Sequence, residues 1–206
     1  MSMAAARVKK GRKLAQVLAG ARTVFMRDGF EGASVDDIAA AAGVSKATLY
    51  SYFPDKRFLF LEVAGQECAR QAAEALELDG TAPPREVLTA AARRIVALAT
   101  SEFGQKIFRV CVAESDRFPE LGRSFYASGP ALARQRIACY LSAARARGEL
   151  DVEDVELAAD QFAELCKAGI HSKLIFGAAR LDPDEVERTI AGAVDMFLAR
   201  YGARPR

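Results

Sequence analysis

The chain has one histidine, His171, and no tryptophan among its 206 residues. A single imidazole excludes histidine-rich metal sites and histidine-pair chemistry, and it leaves a catalytic triad only one candidate base. The four cysteines, Cys68, Cys111, Cys139 and Cys166, are far apart and form no CxxC pair. That spacing argues against a disulfide framework or a zinc site, so each reads as a small buried hydrophobe. No apolar run approaches the roughly 18 residues that span a bilayer. The start, Met1 to Lys13, is basic but is followed by no signal-peptide apolar core. A cytoplasmic protein with no membrane partner is expected. GxGxxG, Walker, GxSxG and HExxH patterns are all missing, so no cofactor and no catalytic residue are expected. Cys166 and His171 are five apart and do not share a helix face well.

Acidic residues are also missing from the first 27 positions, which hold seven basic ones: Arg7, Lys9, Lys10, Arg12, Lys13, Arg22 and Arg27. The overall charge is only +2, but residues 1–60 carry +5 and residues 61–206 carry −3. A basic block ahead of a near-neutral body points to a polyanion partner. Hydrophobic residues at 51% and charged residues at 27% are ordinary for a folded domain and exclude disorder as the default.

Alternating strand patterns are absent and the whole chain reads as helix. Leu14, Val17, Leu18, Ala21, Val24 and Phe25 make one stripe, and Gly29 offers a left-handed cap. Ser34 and Asp37 form a capping box for a short second helix that ends at Gly43. Ser45 caps a third helix, Lys46 to Phe53, which Pro54 ends. Asp55 caps a fourth, about Lys56 to Leu78. A fifth starts at Pro83-Pro84, and a sixth covers Glu102 to Ser115. A seventh runs from Pro119 to Arg145 and is kinked or split at Pro130. An eighth runs from Val152 to Phe176, capped by Asp151. A ninth runs from Asp182 to Gly202. The expectation is an all-α chain of about nine helices.

The second helix, Gly43-Val44-Ser45 and the third helix make a helix-turn-helix. Leu49 and Phe53 can lock the third helix inward, leaving Lys46, Ala47, Tyr50 and Ser51 outward. Small residues at Ser45 and Ala47 let this helix N-terminus approach a groove closely. Lys46 can donate to guanine edges or phosphate. The hydroxyls of Thr48, Tyr50 and Tyr52 suit phosphate oxygens. Lys56, at the start of the fourth helix, offers a second anion site.

The stretch Phe25 to Phe60, FMRDGFEGASVDDIAAAAGVSKATLYSYFPDKRFLF, resembles the DNA-binding domain of the TetR family of transcriptional regulators. GVSKATLYSYFPDK is its most specific part. Further on, AESDRFPELGRSFYASGP is similar to the subgroup with an AefR-like C-terminal domain. The resemblance implies a helix-turn-helix domain over residues 1–55, with a basic arm at 1–13. It implies a helical ligand-binding and dimerisation domain over 56–206, joined through helix 56–78. By carry-over Lys46, Ala47 and Tyr50 face bases, Thr48, Tyr50, Tyr52 and Lys56 face phosphates, and Ser34 touches the backbone. Many relatives carry a basic residue where Asp36 stands, so Asp36 is read as first-turn charge and not as a DNA contact.

The resemblance also implies an inducer pocket among the later helices. Its candidate lining is Phe103, Ile107, Phe108, Val112, Phe125, Tyr126, Phe162 and Cys166, which suits a small apolar or aromatic ligand. For His171 a structural role is preferred. Ile190, Val194, Phe197, Leu198 and Tyr201 form the candidate dimer stripe, and Gly169 and Gly192 would let helices approach closely. A two-fold dimer sets its recognition helices about 34–36 Å apart, one duplex turn. The expected function is a sequence-specific regulator, a repressor released from a palindromic operator by its inducer. A helical enzyme and a sequence-neutral architectural DNA binder are the alternatives.

Overall fold

The computed structural model describes the backbone of residues 3–75, 81–178 and 181–203. Among these residues there are eleven helices: α1 (Met3–Gly32), α2 (Val35–Ala42), α3 (Lys46–Tyr52), α4 (Lys56–Ala75), α5 (Pro84–Thr100), α6 (Glu102–Glu114), α7 (Pro119–Ser128), α8 (Pro130–Ala146), α9 (Val155–Lys167), α10 (Ile170–Ile175) and α11 (Pro183–Tyr201). No described helix is long and apolar enough to cross a membrane.

Two splits account for the difference from nine. Pro130, which has no N–H to donate, opens α8 after a non-helical Gly129, so the 119–145 segment is two helices. The 152–176 segment breaks at Ala168–Gly169, where φ is 72° at the glycine. The cap of α9 is Asp154, not Asp151, because it is Asp154 that accepts the Leu157 N–H. The arm expected at 1–13 continues α1, whose helix begins at Met3. Gly29 has φ 72° and ψ −177°, a conformation essentially limited to glycine, and it breaks α1 near its end.

The chain divides into two compact units. One holds Met1–Cys68 and Val110–Phe125; the other holds Ala69–Arg109 and Tyr126–Arg206. This differs from a cut at 55/56, and the reason is local. The start of α4 is bound to residues far along the chain: Arg57 donates to Glu114 Oε2 at 2.6 Å, and the Phe58 ring meets Phe118 edge-on at 5.7 Å.

The core of the first unit is built from the inward stripes of four helices. Val17, Ala21, Val24 and Phe25 of α1, Ile38, Ala39 and Ala42 of α2, Leu49 of α3, and Leu59 and Phe60 of α4 are all buried. Phe25, Phe30 and Phe60 form an aromatic cluster with centroids 4.9 to 6.3 Å apart. Such pairs add about 0.5–1.5 kcal/mol each beyond area burial. α1 and α2 touch backbone to backbone at Gly20. A β-carbon there would lie 2.5 Å from the Ala42 nitrogen.

The second unit has one core, drawn mainly from α5, α8, α9 and α11. Val96, Leu141, Phe162, Cys166, Val194 and Phe197 are central to it. An antiparallel bridge between Leu150 and Gly202 ties the end of α11 to the segment after α8, with Asp151 N–H donating to Tyr201 O at 2.8 Å. Burial pushes the Cys166 thiol up to about 12, so it is an inert packing group.

Candidate DNA-binding site

The site is the outer face of α3 with the residues that fix it. Ser34 caps α2: its Oγ accepts the Asp37 N–H at 3.0 Å and donates to Asp37 Oδ2 at 2.6 Å. Gly43 ends α2 in the left-handed region (φ 62°, ψ 36°). That residue turns the chain without a β-carbon penalty. Ser45 then caps α3, accepting the Thr48 N–H at 3.1 Å, and its Oγ lies 2.9 Å from Thr48 Oγ1. Leu49 is buried at 1% exposure and anchors the helix, with Phe53 half-buried beside it.

With Leu49 inward, Ser45, Lys46, Ala47, Tyr50 and Ser51 are exposed, and Thr48 and Tyr52 are half-buried. Tyr50 is 50% exposed, unusually open for a tyrosine inside a compact unit. Lys46 is not idle: its Nζ lies 2.5 Å from Asp36 Oδ1 on α2. Lys56 is half-buried. Its ammonium donates to Phe30 O at 2.8 Å and Ala33 O at 3.0 Å, and lies 4.5 Å from the Phe30 ring centroid. Two of its three N–H donors therefore satisfy carbonyls at the end of α1.

Behind the reading helix lies a joint not legible from sequence. Asp55 caps α4 by accepting the Arg57 N–H at 2.8 Å, and also takes the Arg57 guanidinium at 2.6 and 3.1 Å. The same guanidinium donates to Glu114 and stacks 4.5 Å above Phe118. The side-chain bond from Arg57 holds the Asp55 carboxyl below its usual range, and the bond to Asp55 raises Arg57 further above its own. Asp55 and Arg57 are near neighbours in sequence, but Glu114 and Phe118 are more than fifty residues on.

In the second unit, the expected pocket residues do not behave as one set. Phe162 and Cys166 are fully buried in the core, and Ile107 is also fully buried. Phe103 and Phe108 are half-buried, and Phe108 meets His171 edge-on at 4.7 Å. Burial holds the His171 imidazole below its usual value. Tyr126 is 56% exposed. Val112 and Phe125 belong to the first unit, and Val112 is 58% exposed. Val112 and Tyr126 are therefore surface residues. The candidate dimer stripe lies largely within the core of its own unit. Ile190, Val194, Phe197 and Tyr201 are buried in the unit's own core, and Leu198 packs against it. The stripe at helical spacing marks the face of α11 that packs against α5 and α9. Its opposite face carries exposed Gly192, Met196 and Ala199. Gly169 serves as a break, not as a close-approach point.

Among the described residues no cluster of histidine, cysteine or carboxylate could hold a metal. A capped short helix, turned by a glycine and showing a lysine, an alanine and a tyrosine outward, defines a helix-turn-helix DNA-binding protein. Comparison with known proteins carries this to a family. Residues 17–63 match the model of bacterial regulatory proteins of the tetR family, and residues 86–203, more than half of the chain, match the AefR-like transcriptional repressor C-terminal domain. A crystal structure of a TetR-family regulator from Mesorhizobium loti superposes with a TM-score of 0.81 at 30% identity, covering 94% of this chain and 98% of that one. The flavonoid-responsive regulator FrrA superposes at 0.72 with 34% identity, covering 95% and 100%. The repressor AcnR of Corynebacterium efficiens is 40% identical over 57 residues, 28% of this chain and 30% of its own length. The match thus spans under a third of that curated relative. The chain belongs to the TetR family, with an AefR-like C-terminal domain. It is a DNA-binding transcriptional regulator, and members of this family are not enzymes.

Proposed function

We propose that the protein is a repressor that binds a palindromic operator as a two-fold dimer in the cytoplasm and is released by a small apolar or aromatic ligand. The exposed face of α3 carries this reading. Lys46, Ala47 and Tyr50 meet base edges. Thr48, Tyr50, Tyr52 and the caps Ser34 and Ser45 meet phosphate, and Lys56 adds its remaining N–H.

A second copy of this chain docks on the outward face of α9 and α11. This is supported by an apolar groove of about 440 Å³ lined by Leu165, Ala168, Met196, Phe197 and Tyr201 among others. Leu157 and Met196, both at least half exposed, extend the apolar surface along the two helices. Nothing lies within 4 Å of where a Gly192 β-carbon would be, so a partner helix can come close. For the ligand, the half-buried ring of Phe108 beside His171 offers aromatic contact, and Phe103 is a second half-buried ring on the same helix. The similarity to a flavonoid-responsive regulator supports a planar aromatic compound.

The test begins by selecting bound fragments from genomic DNA to recover the operator. Tyr50→Ala and Lys46→Ala should each weaken it about tenfold or more, and Lys46→Ala, which removes a base-edge contact already paired with Asp36, should change the salt dependence by much less than about one unit. Wild-type affinity in both variants would overturn the assignment. A specific to mixed-sequence affinity ratio below about 10³ would favour the architectural alternative. Planar aromatic compounds that raise the melting temperature should release the operator at the same concentrations.

A further inference from the structure

We infer that Asp36 is a specificity-determining residue that steers Lys46 away from phosphates and toward base edges. Asp36 is the second residue of α2 and Lys46 the first of α3. Their side chains meet at 2.5 Å although both are more than half exposed. Capping does not require Asp36, since Ser34 and Asp37 already close the first turn of α2 between them.

The charge around the pair gives it weight. Residues 34–56 hold two cations, Lys46 and Lys56, against three carboxylates, Asp36, Asp37 and Asp55. Lys56 is turned onto the carbonyls of Phe30 and Ala33. Asp55 is taken by Arg57, and Asp37 by Ser34. Lys46 is thus the cation that the α3 face offers to a duplex, and a carboxylate already matches its charge.

An ammonium has three N–H donors. Paired by charge with Asp36, the ammonium can still donate to a neutral acceptor such as guanine O6 or N7. A phosphate is a second anion, and its approach brings it against the Asp36 carboxylate. The pair therefore lowers affinity for arbitrary DNA while leaving base readout open. It also limits the counterions that binding releases.

The test uses the full-length protein on a mixed-sequence duplex long enough for two half-sites, and on an operator selected with the wild-type protein. Asp36→Asn should tighten mixed-sequence binding by about 1.5-fold to fivefold at low salt, the range set by an exposed ion pair. It should steepen the salt dependence by up to about one unit and tighten operator binding less, so the discrimination ratio falls. In a Lys46→Ala background the same change should have little effect on either. Loss of a first-turn charge alone would lower the melting temperature and leave the salt slope unmoved. The inference is overturned if Asp36→Asn leaves mixed-sequence affinity and slope at wild-type values. It is equally overturned if the effect persists without Lys46, because the carboxylate would then act as bulk charge.

Discussion

Lys56, proposed as a DNA contact, is also a fastener. Its ammonium closes two carbonyls at the end of α1 and stacks on Phe30, so the start of α4 is held to the end of α1. Leaving buried acceptors unpaired costs about 1–3 kcal/mol. Lys56→Ala should lower the unfolding free energy by that amount, read as a lower urea midpoint at unchanged slope, and only part of its loss in DNA affinity should be recovered when stability is restored by other means. A denaturation curve superimposable on wild type would refute this. The sequence shows a lysine beside a helix start, which favours an anion-site reading. The inward turn depends on where Phe30 and Ala33 end α1, and that is a tertiary fact. Asp36 is similar: its place in the first turn is plain from sequence, but its partner ten residues on requires the geometry of the turn.

At the scale of elements, the caps and breakers did most to make the fold readable. Ser34, Ser45, Asp182, Gly43 and Pro130 act where they stand, because capping and steric exclusion are local. The helix stripes were equally legible, but a stripe does not say what it faces. That is why the stripe alone could not show that Ile190, Val194 and Phe197 also pack in the core of their own unit. Gly20 escaped notice because its role exists only where α1 meets α2. Gly20→Ala would set a β-carbon 2.7 Å from the Ala42 Cα and Cβ. Forcing an extra carbon into such a contact costs about 1–3 kcal/mol. The variant should melt earlier and bind the operator more weakly, as α2 is pushed off α1. A melting temperature and operator affinity equal to wild type would show the contact relaxes freely.

For the whole molecule, the surface on which the proposed dimer turns is the outer side of α9 and α11. Met196 is 62% exposed in the groove, whose lining also includes Gln161, Glu164 and Arg200. Met196→Arg should shift sedimentation from dimer to monomer at micromolar protein and abolish operator binding, with helix content unchanged. Tyr50→Ala should leave the dimer intact and lose only DNA. A Met196→Arg protein that still sediments as a dimer would require another interface. Ion pairs at the surface, such as Arg85–Asp195 and Arg93–Glu187, tie α5 to α11 but are too exposed to set overall stability.

The first unit takes its last piece, Val110–Phe125, from the middle of the chain. The N-terminal unit is therefore discontinuous in sequence. A chimera that grafts residues 1–55 onto another regulator carries Asp55 but leaves behind its partner Arg57, with the carboxylate and ring that clamp it. Transplanting operator choice intact means moving two segments together, and on the ribosome this unit cannot finish folding until residue 125 has emerged.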